Sequence, residues 1–159
     1  MQIPPPRAPG GEVILAQAPP ERAQRLDVRF EIPVVLEAAR LDPKVQPGRV
    51  IIAELDWRTS KGVPPNTSVF VHMEGPGDPA RADHRLISAW SELHHAPRDQ
   101  TLRDIVPIVV PEKARPGEWT VWVGLWNEGP PYNRYSVADR GRAETVSENR
   151  VKVGTVFIP

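Results

Sequence analysis

Apolar and polar positions are most informative between residues 118 and 127, where a run rich in β-branched and aromatic residues is bracketed by Arg115-Pro116-Gly117 and Glu128-Gly129-Pro130-Pro131. Turn and breaker residues on both sides, with strand formers between them, predict a β-strand. Side chains alternate faces along a strand. Trp119, Val121, Val123 and Leu125 therefore share one face, and Thr120, Trp122, Gly124 and Trp126 share the other. The first set is a core face. The second carries two tryptophans where polar residues would be ordinary.

The same pattern recurs along the chain. Residues 26–32 alternate cleanly, with Leu26, Val28, Phe30 and Ile32 on one side, which predicts a half-buried strand. Pro33 is expected at an edge or at a crossing between sheets, and residues 34–41 continue extended. Turns follow at Asp42-Pro43 and Gln46-Pro47-Gly48. Residues 49–58 place Ile51, Ala53, Leu55 and Trp57 inward. Their outward set starts apolar at Val50 and ends charged at Arg58, as if one end of that face were covered. Residues 67–74 are apolar on both faces, which predicts a central strand. Residues 84–92, containing Trp90, read as a shorter strand. Residues 102–110 are extended, with Pro107 at an edge or bulge, and residues 149–158 close the domain with a bulge at Gly154. Residues 128–143 read as a long loop.

About seven to eight strands, frequent turns and no amphipathic helix predict an all-β fold. The expected architecture is an immunoglobulin-like β-sandwich with Greek-key connections, with a barrel as the alternative. Residues 25–159 would form this domain. Residues 1–24 hold six prolines and the Gly10-Gly11 pair, and read as a Pro-rich arm or linker. Within that arm only the short patch Val13-Ile14-Leu15 could dock as an edge strand; a linker or tail is the favoured reading.

Composition narrows the function classes. Twenty basic residues balance twenty acidic ones, which argues against nucleic acid as the main partner, since phosphate binding needs a basic excess. No cysteine is present, so disulfides, thiolate metal sites and thiol nucleophiles are excluded. No run approaches the length of a membrane span. The first residues lack the basic-then-apolar pattern of a signal peptide, which leaves either a cytoplasmic protein or one whose targeting segment is absent from this chain.

Candidate chemistry centres on aromatic residues. Trp122 and Trp126 stand about 13 Å apart on one strand face. With Tyr132 and Tyr135 just beyond them they could form a platform for sugar rings, or a protein-binding hot spot, where Trp, Tyr and Arg are enriched. Buried packing is the commonest fate of such rings and is the reading to beat. His72 is expected to be a hydrogen-bonded residue facing another layer, near Trp126, and Trp90 joins the candidate set. The histidines His72, His84, His94 and His95 have no spacing that prepositions a metal, and none is assigned. Glu54, Asp56 and Glu74 fall on strands that could pair, the raw material of an acid–base couple, but no cleft former accompanies them. The loops at residues 75–78 and 139–142 offer too few carboxylates for calcium. No nucleophile elbow, phosphate loop or dinucleotide fingerprint is present, so neither enzyme activity nor a cofactor is expected.

Several stretches occur together in one order: Gln46-Pro47-Gly48 leading to Leu55-Asp56-Trp57-Arg58, then residues 69–73, then Arg115-Pro116-Gly117-Glu118 leading to Val123-Gly124-Leu125-Trp126, then residues 149–156. Over about residues 40–158 this set resembles a β-sandwich module at the extracytoplasmic C-terminal end of bacterial membrane glycosyltransferases of the dolichyl-phosphate-mannose-dependent type. Related modules occur in other bacterial surface proteins. The resemblance implies an accessory domain without catalysis, placed outside the cytoplasmic membrane. Trp122 departs from it, standing where an aliphatic residue is expected, as does the connection Leu93-His94-His95-Ala96. The combined expectation is a non-catalytic interaction module, periplasmic or at the cell surface, docking onto a larger and membrane-associated protein assembly. A cytoplasmic location is the alternative. Glycan recognition through Trp122, Trp126, Tyr132 and Tyr135 is the alternative function.

Overall fold

The computed structural model describes residues 12–16, 21–83 and 98–159. Among them are eleven strands and no helix: β1 Glu12–Ala16, β2 Gln24–Phe30, β3 Val34–Leu41, β4 Val50–Thr59, β5 Thr67–Glu74, β6 Ala80–Arg81, β7 Thr101–Val109, β8 Gly117–Asn127, β9 Val137–Asp139, β10 Val146–Ser147 and β11 Arg150–Ile158. They form a six-stranded sheet in the order β1-β7-β4-β3-β2-β9 and a five-stranded sheet in the order β10-β11-β8-β5-β6. All named strand pairs are antiparallel. The architecture is a β-sandwich.

The seven long strands β2, β3, β4, β5, β7, β8 and β11 lie where alternation places them. β6, β9 and β10 span two or three residues each, too few to show any periodicity, so the strand number exceeds the seven or eight expected. The expected strand with Trp90 lies outside the described residues. Inside the Pro-rich arm, Glu12–Ala16 pairs with Thr101–Ile105 of β7 as an edge strand, the docking alternative for the Val13-Ile14-Leu15 patch. Pro33 does not mark a crossing between sheets. It sits in the turn joining β2 to β3, which are neighbours in one sheet. Pro107 lies in β7 past Ile105, where pairing with β1 ends. Register shifts between Lys152 and Gly154, the bulge expected near Gly154.

Period-2 alternation builds the core, because each sheet turns one face inward. Trp57, Leu55, Leu36 and Leu26 from the six-stranded sheet meet Trp119, Val121, Leu125 and Met73 from the five-stranded one, all essentially inaccessible to solvent. Trp119 keeps its polar edge satisfied by donating from Nε1 to the Arg115 carbonyl at 2.9 Å. Burying side chains of this size is the main favourable term, at about 25 cal/mol per Å² of apolar surface.

The outward face of β4 is open at both ends and covered between them. Val50 is 46% exposed and the Arg58 side chain 41%. Asp56 is 2% exposed and lies directly opposite Arg103. Two hydrogen bonds join the pair, Nε to Oδ1 at 2.9 Å and Nη2 to Oδ2 at 3.2 Å. Around them Arg58 approaches Glu37 at 3.5 Å and Arg40 approaches Glu54 at 3.6 Å. Burial pushes the Asp56 carboxyl above its ordinary value even against the pull of Arg103. Ionised Asp56 is thus tolerated only because Arg103 faces it.

Arg103→Ala should therefore cost about 3–5 kcal/mol, the penalty for stranding a buried charge. Arg25→Ala, which removes a half-exposed ion pair with Asp27, should cost less than about 1 kcal/mol. Urea denaturation of both variants checks this. Equal losses would contradict the assignment.

Candidate functional site

Register decides which side chains share the outer face of the five-stranded sheet, because residues directly opposite one another point the same way. Ser68 faces Trp126, Phe70 faces Gly124, and His72 faces Trp122 across the β5–β8 pair. Beyond β8, Trp122 faces Lys152. On the other side of β5, His72 faces Arg81 of β6. The intervening residues Val69, Val71, Val123 and Leu125 fill the core. The tryptophan face noted in the sequence is the outside of one sheet.

Gly124 organises this face. A Cβ built there would stand 2.2 Å from Cζ of Phe70 and 2.9 Å from the Asn149 carbonyl oxygen. The Phe70 ring therefore lies across the bare backbone of β8, between the two tryptophans. It is 3% exposed despite facing outward, because two neighbours cover it. The His72 ring tilts against it at 5.0 Å between centroids, and the Arg134 guanidinium sits 4.6 Å above it. Trp122 is covered in the same way: the Arg150 guanidinium lies 4.6 Å over its ring. Arg150 is itself held by Glu74 at 2.9 Å and Glu148 at 3.4 Å. A cation over an aromatic face contributes about 0.5–2 kcal/mol, the larger figure when desolvated.

The segment after β8 returns alongside it and completes the site. The Asn127 amide donates to the Asn133 carbonyl at 2.8 Å, and the Tyr135 amide donates to the Leu125 carbonyl at 2.9 Å. Arg134 thereby bridges opposite Trp126, which puts it on the outer face and turns Tyr135 toward the core. At the tip of the turn Tyr132 has φ 56° and is 62% exposed.

Phe70, His72, Arg81, Asp83, Trp126, Tyr132 and Arg134 line a pocket of about 200 Å³. Asp83 Oδ1 accepts the Val71 amide at 3.0 Å and lies 3.7 Å from His72 Nε2. Burial holds the His72 imidazole below its ordinary value; Asp83 opposes this, while Arg81, Arg134 and Arg150 add to it. The ring is neutral at neutral pH, and the two guanidiniums are the pocket's cations. Beside the pocket, Trp126 Nε1 and Ser68 Oγ are buried without a hydrogen-bond partner among the described residues.

Of the residues singled out in the sequence, His72, Trp126 and Tyr132 meet in this pocket. Trp122 stands next to His72 but lies under Arg150 and does not line it. Tyr135 packs on the core side, since the bridge at Arg134 fixes the alternation, so the four rings do not make one platform. Trp90 lies outside the described residues. Phe70, Arg81, Asp83 and Arg134 were not foreseen. Phe70 could have been, because a strand apolar on both faces must cover its second face with something. The carboxylates Glu54, Asp56 and Glu74 do not come together: β4 and β5 belong to different sheets, and each carboxylate meets its own arginine. In the loop at residues 139–142, Asp139 accepts the Gly141 amide and pairs with Arg29, contacts that hold its carboxyl below the ordinary value.

No protein-family model matches the chain, and no curated protein matches it.

Gly124→Ala should cost about 1–3 kcal/mol, the range for overpacking, and should shift the Trp126 indole resonance as Phe70 is displaced. Unchanged stability would contradict the packing described. For His72, a folded-state pKa below the unfolded value of about 6.5 means that the unfolded chain takes up the proton first as the pH falls. Stability is intact above that value and declines as pH drops toward the folded pKa. Urea midpoints across this range should show the decline, and His72→Gln should flatten it.

Proposed function

We propose that this domain is a non-catalytic interaction module that meets its partner through the outer face of the β5–β8 sheet. The observation that carries this reading is the pocket between Arg81, Arg134, Trp126 and Tyr132, roofless at the exposed Tyr132 ring. Aromatic residues and arginine are the side chains that dominate protein interfaces. The outer face of the other sheet offers little of this kind, since its central charges are already matched to one another. The lining of the pocket brings together donors and rings rather than a nucleophile with its base, which supports binding over catalysis.

The ordered motifs support a finer version of the proposal. The strand and turn pattern favours an immunoglobulin-like Greek-key sandwich, and the ordered motifs favour an accessory subunit or domain of a larger assembly, outside the cytoplasmic membrane and docked to membrane-associated protein. No helix among the described residues is long and apolar enough to cross a membrane. Glycan binding is the second reading, favoured by the neighbouring Trp126 and Tyr132 rings at the pocket.

Affinity capture from membrane and soluble extracts, with the full chain as bait, tests the proposal. Tyr132→Ala should weaken partner retention by about 2 kcal/mol or more, the range of an interface anchor, with the urea midpoint unchanged. Charge reversal on the opposite sheet, Arg40→Glu, should leave retention intact. Retention that survives Tyr132→Ala but not Arg40→Glu would place the interface elsewhere.

A further inference from the structure

The pocket's charge and size say more about what enters it. Arg81 stands opposite His72 on the exposed edge strand β6. Arg134 reaches in from the other flank, its guanidinium over Phe70. Its Nη1 donates to the Glu148 carbonyl at 3.0 Å, and the Glu148 carboxylate is 4.0 Å away and largely exposed. Among the described residues the structure records no ion pair for Arg81, and the exposed Glu148 is the acid that Arg134 meets. The one acid in the lining, Asp83, accepts the Val71 amide and lies beside His72. Two guanidiniums against this one carboxylate leave the aromatic-walled space with a net positive lining.

We infer that this pocket receives a carboxylate, the side chain of an aspartate or glutamate on the partner protein, clamped between Arg81 and Arg134 and bordered by Tyr132. This rests on the interaction-module reading and names the chemistry of its central contact. Guanidiniums pair with carboxylates through charge-assisted hydrogen bonds, which are shorter and stronger than neutral ones. A space of about 200 Å³ falls below the usual ~300–1,000 Å³ of small-ligand sites, and fits one short side chain. Stacking on a sugar ring is less well served. Trp122 has Arg150 on its face, and Trp126 has its polar edge buried, so no open indole pair is presented. The partner's docking surface is accordingly acidic, with at least one carboxylate projecting far enough to pass Tyr132.

The test uses the isotope-labelled full chain and four probes: N-acetylglutamate methylamide, its glutamine counterpart, glucuronate and inorganic phosphate. Trp126 indole and Tyr132 amide resonances report occupancy. The glutamate probe should produce saturable shifts that the glutamine probe does not. Arg81→Gln, on an exposed edge, should weaken the response by about tenfold or more, the loss of one hydrogen bond between charged groups. Arg134→Gln should do the same, and Arg134→Lys should recover part of it. Equal responses to glutamate and glutamine would overturn the inference, as would tighter binding of glucuronate or phosphate than of the glutamate probe. Partner capture that depends on Tyr132 but is indifferent to Arg81→Gln and Arg134→Gln would overturn the carboxylate clamp alone. Loss of the Tyr132 dependence would instead remove the interface reading beneath it.

Discussion

The outer face of the five-stranded sheet depends on one missing side chain. Because Gly124 has no Cβ, Phe70 can lie across β8, and everything above it follows from that placement. The ring gives Arg134 a surface to stack on and His72 a wall to lean against. It also separates Trp122 from Trp126, so the two tryptophans enter different environments although they share a face. One sits beneath Arg150. The other lines a pocket. A glycine inside a strand usually marks a bulge or a close approach, and here the close approach is made by an aromatic ring.

The two outer faces treat charge in opposite ways. On the six-stranded sheet Asp56 and Arg103 are buried together in a two-bond pair, and the flanking acids and bases match one another. Such a face is satisfied within itself. On the five-stranded sheet two of the cations, Arg134 and Arg150, lie over aromatic rings, although Glu74 and Glu148 also hold Arg150 and Glu144 holds Lys152. Stacking on a ring leaves a guanidinium's in-plane donors available, which is why arginine suits both aromatic contact and anion recognition. Neutral His72 adds no charge to this face at neutral pH. The asymmetry between the sheets is the physical basis for assigning recognition to one of them.

The alternation of β8 was legible in the sequence to the residue. Trp119, Val121, Val123 and Leu125 all reach the core, and Trp122 and Trp126 both face away from it. Legibility failed where contacts are long-range. Nothing local says that the chain after Asn127 turns back to pair with β8, and that return decides that Arg134 joins the site while Tyr135 leaves it. Asp56 misled for a related reason: an acid on an outward strand position looks solvated until the cross-strand partner Arg103 is known. Pro33 is expected at an edge or a crossing between sheets because proline stops a ladder, yet a tight turn within one sheet uses the same property. The shortest strands exist only through their partners, so no pattern in their own residues could reveal them.

Site-specific photo-cross-linking tests the central claim most directly, because it reports which face meets another protein. The full chain would carry Tyr132→p-benzoylphenylalanine in one version and Arg58→p-benzoylphenylalanine, on the outer face of the six-stranded sheet, in the other. Both would be irradiated in membrane and soluble extracts. The account predicts a discrete adduct from position 132 and none from position 58. An adduct from position 58 with none from position 132 would contradict it, and would move recognition to the sheet whose charges are already paired.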